Sequence, residues 1–130
     1  MLLSGIRIAA TENTPEVILQ PSGKIIISGR SMCKDAALFY KQMESWLDVY
    51  LKDPADITRV DIWLEYFDNI NYSAFISVLR KIKSVNKESK QFIINWHYEE
   101  DDDDIMAQGE NISSVLNIPV NLVMISEYNY

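Results

Sequence analysis

The chain is short of the residues that most often do chemistry. Its 130 residues include one cysteine, Cys33, and one histidine, His97. A single cysteine excludes an intramolecular disulfide and a cysteine-built metal cluster, and it fits a reducing compartment. Nucleophilic catalysis needs a hydroxyl or thiol beside a base that a third group orients. His97 lies between Trp96 and Tyr98 in an apolar stretch and reads as a sheet-face residue, not as a general base. Cys33, within "SMCKD", has no neighbouring base and reads as an inert loop residue. The four glycines, Gly5, Gly23, Gly29 and Gly109, are isolated, so no glycine-rich loop is present to cradle a phosphate.

Apolar runs are short as well. None approaches the roughly 20 residues of a membrane span, and "MLLSGIRIAA" lacks the apolar core of a signal peptide. A cytoplasmic protein with no membrane insertion is expected. Positive charge is scarce: 12 Lys and Arg stand against 19 Asp and Glu, for a formal net charge of −7 and a pI near 4.6. Phosphate-backbone recognition draws on clustered cations, so nucleic acid is an unfavoured partner. The densest basic group, Arg80, Lys81 and Lys83 with Lys87 and Lys90 beyond, reads as the solvated face of a helix. At 130 residues one domain, 1–130, with one core is the default.

What is present is a regular alternation of elements. "TPEVILQPSGKIIISG" reads as two strands joined at Pro21, Ser22 and Gly23, because β-branched residues flank a turn-forming cluster. From Ala36 to Leu51, apolar residues recur at spacings of three and four, which predicts a helix capped by Asp35 and ended before Pro54. Val60, Ile62, Leu64 and Tyr66 alternate with Asp61, Trp63, Glu65 and Phe67, the pattern of a strand with one apolar and one mixed face. A helix follows at once, with Tyr72, Phe75, Ile76, Leu79 and Ile82 as its buried stripe, Asn71 as its cap and "NKESK" at its end. "QFIINWHY" is the next strand, with Phe92, Ile94, Trp96 and Tyr98 on one face. A third helix, with Ile105, Gly109, Ile112 and Leu116 in its stripe, and a last strand, "VNLVMI", complete the series.

The predicted order is β-β-α-β-α-β-α-β. Strands joined through helices pair in parallel by right-handed crossovers. The fold class is therefore α/β, a mixed sheet of about five strands. Polar residues on the second face of two interior strands place the helices mainly on one side and leave the other open.

Two charged features bear on function. "YEEDDDDIM" holds six successive carboxylates, Glu99 to Asp104, without the alternating ligands, central glycine and distal glutamate of an EF-hand loop. Acids at a helix start are favoured by its dipole and free N–H groups, and a weak, nonspecific cation site is the other reading. Asp61 and Glu65 share a strand face but stand about 13 Å apart by the strand rise, too far for a glycosidase-like pair. No catalytic residue, metal site or cofactor is identified from the residues.

"EYFDNINYSAF" is the remaining feature of interest. It carries a strand into a helix through Asp68, Asn69, Ile70 and Asn71, and free backbone N–H groups at such a junction favour an anion or an added phosphate. Turn and cap duty alone also accounts for Asp68, Asn69 and Asn71.

Several segments together resemble one family: "TPEV" with Gly23 and "ISGRS", then "FYKQMESWLDVYL", "LEYFDN" and "WHYEEDDDDIMAQGE". In these the chain is similar, over most of its length, to the SiaC-like bacterial regulatory phosphoproteins, which themselves resemble STAS-domain anti-sigma-factor antagonists. The resemblance implies a STAS-like domain that acts by binding partners in a partner-switching pathway and is controlled by phosphorylation. It implies a histidine-kinase-like ATPase and a PPM-type phosphatase as regulators, and a diguanylate cyclase as a target.

It also exposes a departure. The family loop runs approximately Tyr, hydrophobic, Asn, Thr or Ser, Ser, Ser, whereas this chain has Tyr66, Phe67, Asp68, Asn69, Ile70, Asn71, so the phosphoacceptor position falls on Asn69. A second departure lies upstream, where a Ser-Tyr-Pro-Glu-Asp-like segment is Ser31, Met32, Cys33, Lys34, Asp35. Three readings follow: Asn69 fixes the state equivalent to the unphosphorylated one, Ser73 has become the acceptor, or control is lost and a plain binding module remains. On each, the stretch Glu65, Tyr66, Phe67, Asp68, Asn69, Ile70, Asn71, Tyr72 and Ser73 is the expected docking and regulatory loop. Two other functional classes stay open, a small metal-using enzyme built on the acidic run, and a homo-oligomeric module using an open sheet face with Trp63 and Phe67.

Overall fold

The computed structural model describes residues 3–86 and 89–126. In chain order the elements are β1 (Ile6–Ile8), β2 (Glu16–Leu19), β3 (Lys24–Ser31), α1 (Ala36–Tyr50), β4 (Ile57–Phe67), α2 (Asn69–Lys83), β5 (Gln91–Glu99), α3 (Asp103–Leu116) and β6 (Asn121–Ile125). Six strands form one sheet in the order β1-β2-β3-β4-β5-β6. β1, β2 and β3 pair antiparallel, and β3 through β6 pair parallel. The sheet has one strand beyond the expected five. β1 is Ile-Arg-Ile, too short for alternation to be visible in sequence.

Sequential order settles where the helices go. Three right-handed crossovers that all step the same way across a sheet place their helices on the same face. α1 accordingly packs on α2, and α2 on α3. Under them lie Val17, Leu19, Ile25, Ile27, Val60, Ile62, Ile94 and Trp96, all buried. The opposite face carries Ile18, Ile26, Asp61, Trp63, Asn95 and His97, half-buried. Asp35 caps α1 by accepting a hydrogen bond from the Leu38 N–H, as predicted.

Trp96 is the largest fully buried side chain, and its indole N–H donates to the Ile105 carbonyl at 2.8 Å. α3 approaches so closely that a Cβ on Gly109 would lie 2.5 Å from Trp96 Cδ1. Glycine stands here because the ring fills the place of its side chain.

Strand β4 departs from simple alternation at its end. The β3–β4 register shifts between Gly29 and Arg30, so that Gly29 faces Leu64 and Arg30 faces Tyr66. Gly29 adopts φ 120°, a conformation open to glycine and strained for other residues. A bulge of this kind exchanges the faces of the residues beyond it. Tyr66, expected with Leu64 in the core, is 57 % exposed, while Phe67, expected on the open face with Trp63, is buried against Phe75, Tyr72 and Trp96. An oligomer built on an open-face Phe67 is thereby excluded.

Candidate functional site

The site forms where β4 ends and α2 begins. Asp68 has extended backbone angles and is the N-cap: its carboxylate accepts from the Asn71 N–H at 2.9 Å, and its carbonyl accepts the first helical bond, from Tyr72 N–H, at 2.8 Å. The expectation of Asn71 as cap with Tyr72 opening the helix is therefore corrected. The helix starts at Asn69, and Asn71 lies inside its first turn, completely buried.

Asn71 instead ties the helix start to the segment after β3. Its amide group donates to the Asp68 carboxylate at 2.8 Å and to the Cys33 carbonyl at 3.0 Å. Its Oδ1 accepts from Ser31 Oγ at 3.0 Å, from the Cys33 N–H at 3.3 Å and from the Cys33 thiol at 3.1 Å. Ser31 Oγ also bonds Tyr40 Oη of α1 at 2.5 Å. A buried amide with every polar atom satisfied fixes its neighbours in one arrangement, because an unpaired polar group in the interior is costly. Burial pushes the Tyr40 hydroxyl far above its ordinary range. Burial, with the Asp68 and Asp35 carboxylates nearby, raises the Cys33 thiol, so it stays protonated and donates. Cys33 is a structural donor in this network, more than the inert loop residue its sequence context suggests.

The clamp holds a short exposed arc. Asn69, the first helical residue, faces solvent beside Ile70, which is 67 % exposed, and Tyr66. Arg30 lies over the Tyr66 ring at 5.2 Å and bonds Glu65 at 3.3 Å. On the α3 side, Gln108 donates to the Phe67 carbonyl at 2.8 Å and Asn111 to Tyr72 Oη at 2.6 Å. Ser73 is exposed one turn further in, its hydroxyl donating to the Asn69 carbonyl at 3.3 Å. Of the expected loop, Glu65, Tyr66, Asp68, Asn69, Ile70 and Ser73 thus reach the surface, and Phe67 and Asn71 are interior supports. No negative side chain lies in the first turn of α2, so the only carboxylate at its free N–H groups is that of the cap, Asp68.

The other candidates fall elsewhere. Asp102 caps α3 by accepting from the Ile105 N–H at 3.0 Å, and Asp103 and Asp104 occupy its first turn. Among the described residues no group of three or more His, Cys, Asp or Glu is placed to hold a metal ion. Asp61 and Glu65 lie on the open face; Asp61 accepts from Asn95, and the His97 ring stacks on Trp63 at 3.9 Å. His97 Nε2 is buried 3.6 Å from the Asp61 carboxylate, and burial lowers the pKa of the ring. A neutral, stacked imidazole fits the sheet-face reading. The basic group is divided: Lys81 pairs with Asp48, Lys83 donates to the Leu116 carbonyl, Lys90 pairs with Asp56, and Lys87 lies outside the described residues. Among the described residues no helix is long and apolar enough to cross a membrane.

Comparison with known proteins bears on the family and the fold. Residues 8–125 match the model of a family described as SiaC family regulatory phosphoprotein. An uncharacterized protein of Pseudomonas aeruginosa (strain UCBPP-PA14) is 19 % identical over 118 residues, 90 % of this chain and 94 % of its own. The fold is similar to that of SiaC of Pseudomonas aeruginosa, with a TM-score of 0.79 at 17 % identity, covering 95 % of this chain and 99 % of that one. It is equally similar, at 0.78 and 17 %, to a chain in the crystal structure of the diguanylate cyclase SiaD in complex with its activator SiaC from the same species, covering 94 % and 99 %.

Proposed function

The chain belongs to the SiaC family of regulatory phosphoproteins, and from that premise we propose that it works by binding, with the arc from Glu65 to Ser73 as its docking and control surface. The observation that carries this reading is the clamped start of α2, whose first turn adds no charge to that of its cap. Buried Asn71 and the capping carboxylate of Asp68 hold Asn69 and Ile70 rigidly at the surface, and a rigid apolar and polar patch binds without a large ordering cost.

At the family's acceptor position this chain has Asn69, whose amide adds no charge where phosphate would add nearly two. The protein is therefore held in the state equivalent to the unphosphorylated one, competent to bind. The target we favour is a diguanylate cyclase, because SiaC is the activator of SiaD in the complex of similar fold. A histidine-kinase-like ATPase and a PPM-type phosphatase act on this chain only under the second reading, in which Ser73 has become the acceptor; its exposed hydroxyl, one turn from Asn69, favours that reading. On either reading the chain is one regulatory domain of the cytoplasm and performs no catalysis of its own.

Calorimetric titration against a diguanylate cyclase of the same genome tests the proposal. Asn69→Glu should weaken binding roughly tenfold, about 1.4 kcal/mol, and Asn69→Ser should leave it unchanged. Equal affinity for the glutamate variant and the native chain removes this surface from the interface.

A further inference from the structure

The two edges of the sheet are finished differently. β1 is three residues long, and its Arg7 is paired with Glu16 of β2 at 2.6 Å. β6 at the other edge is Asn-Leu-Val-Met-Ile, with no charge, proline or glycine. Leu122, Val123 and Met124 are 38, 37 and 53 % exposed. Edge strands offer unpaired N–H and C=O groups to another strand, and proteins ordinarily blunt them with charge, proline or brevity. β6 carries none of these protections, although 24 % of the chain is charged.

We propose that β6 is the interface between two copies of this chain, paired antiparallel across a two-fold axis near Val123. A strand added edge to edge pairs the whole row of free N–H and C=O groups, and a two-fold axis makes the same edge complementary to itself. The charges around β6 select both partner and direction. At its carboxyl end Ile125 accepts from the Glu100 N–H, so the acidic run lies there. Before its amino end, Lys83 sits on the Leu116 carbonyl that closes α3. Antiparallel pairing brings the acidic end of each copy toward the lysine end of the other; parallel pairing would set acid against acid. Leu122 and Met124, on the helix face beside Trp96 and Tyr98, then meet Met124 and Leu122 of the second copy, and Val123, beside His97, meets its own counterpart.

Sedimentation velocity on the full chain over a dilution series tests this. The weight-average mass should climb from 15.0 kDa toward twice that value with concentration, and Val123→Lys and Met124→Lys should each hold it at the monomer. Both positions are exposed, so the variants should melt with the native chain, which separates loss of association from loss of folding. A native chain that stays at 15.0 kDa throughout overturns the proposal, as does a folded Val123→Lys variant that associates like the native protein.

Discussion

The starts of α2 and α3 are built with the same device and set in opposite surroundings. Each follows an interior strand, and each is capped by an aspartate that accepts from the backbone N–H three residues on, Asn71 for Asp68 and Ile105 for Asp102. α3 then adds Asp103 and Asp104 in its first turn, so its dipole is already met by fixed negative charge in solvent. α2 adds Asn69, Ile70 and a buried Asn71, and its dipole meets no charge beyond the cap. One helix start is thus complete as it stands, while the other is held rigid and carries only the charge of its cap. Of the two, a regulator gains most by adding or reading charge at the second.

The strongest way to break this contrast is to remove the amide that only α2 has. Asn71→Leu leaves Ser31, Asp68 and the Cys33 backbone short of partners in the interior, and should cost about 3 kcal/mol in urea unfolding. Gly109→Ala strikes the α3 side through packing instead. The added methyl meets the Trp96 ring, and a cost of about 2 kcal/mol is expected by the same measurement. Smaller, and sharper as a comparison, are the caps: Asp68→Ala and Asp102→Ala should each cost about 1 kcal/mol. The Asp68 variant should lose more, since Asp68 also accepts from the Asn71 side chain. Least of all, Asp103→Asn with Asp104→Asn should cost about 0.5 kcal/mol, and less in high salt. A larger loss there than at Asp68 would reverse the contrast.

Where one face of an element is buried and the other is not, its period is written in its residues. β3, β4 and β5 and the stripes of all three helices were legible for that reason, as were the helical cover on one face and the Asp35 cap. The bulge at Gly29 was not, because a register shift belongs to a pair of strands and leaves no mark on either alone; Tyr66 and Phe67 exchanged faces through it. The cap of α2 was misread for a related reason. Asp68 and Asn71 both suit the role locally, and what decides between them is that Asn71 is bonded to Ser31 and Cys33, 40 and 38 residues earlier in the chain. The docking loop was placed by family resemblance, and its division into surface and support required the tertiary contacts.

Sheet order has a consequence for how the molecule is made. Every strand from β2 to β6 pairs with the one synthesised just before it. Among the described residues no strand waits for a partner beyond the next strand in sequence, so the loops that strand pairing must close stay short relative to the chain. A chain leaving the ribosome can therefore add strand and helix to a sheet that is already formed, covering each fresh edge with the next unit to emerge.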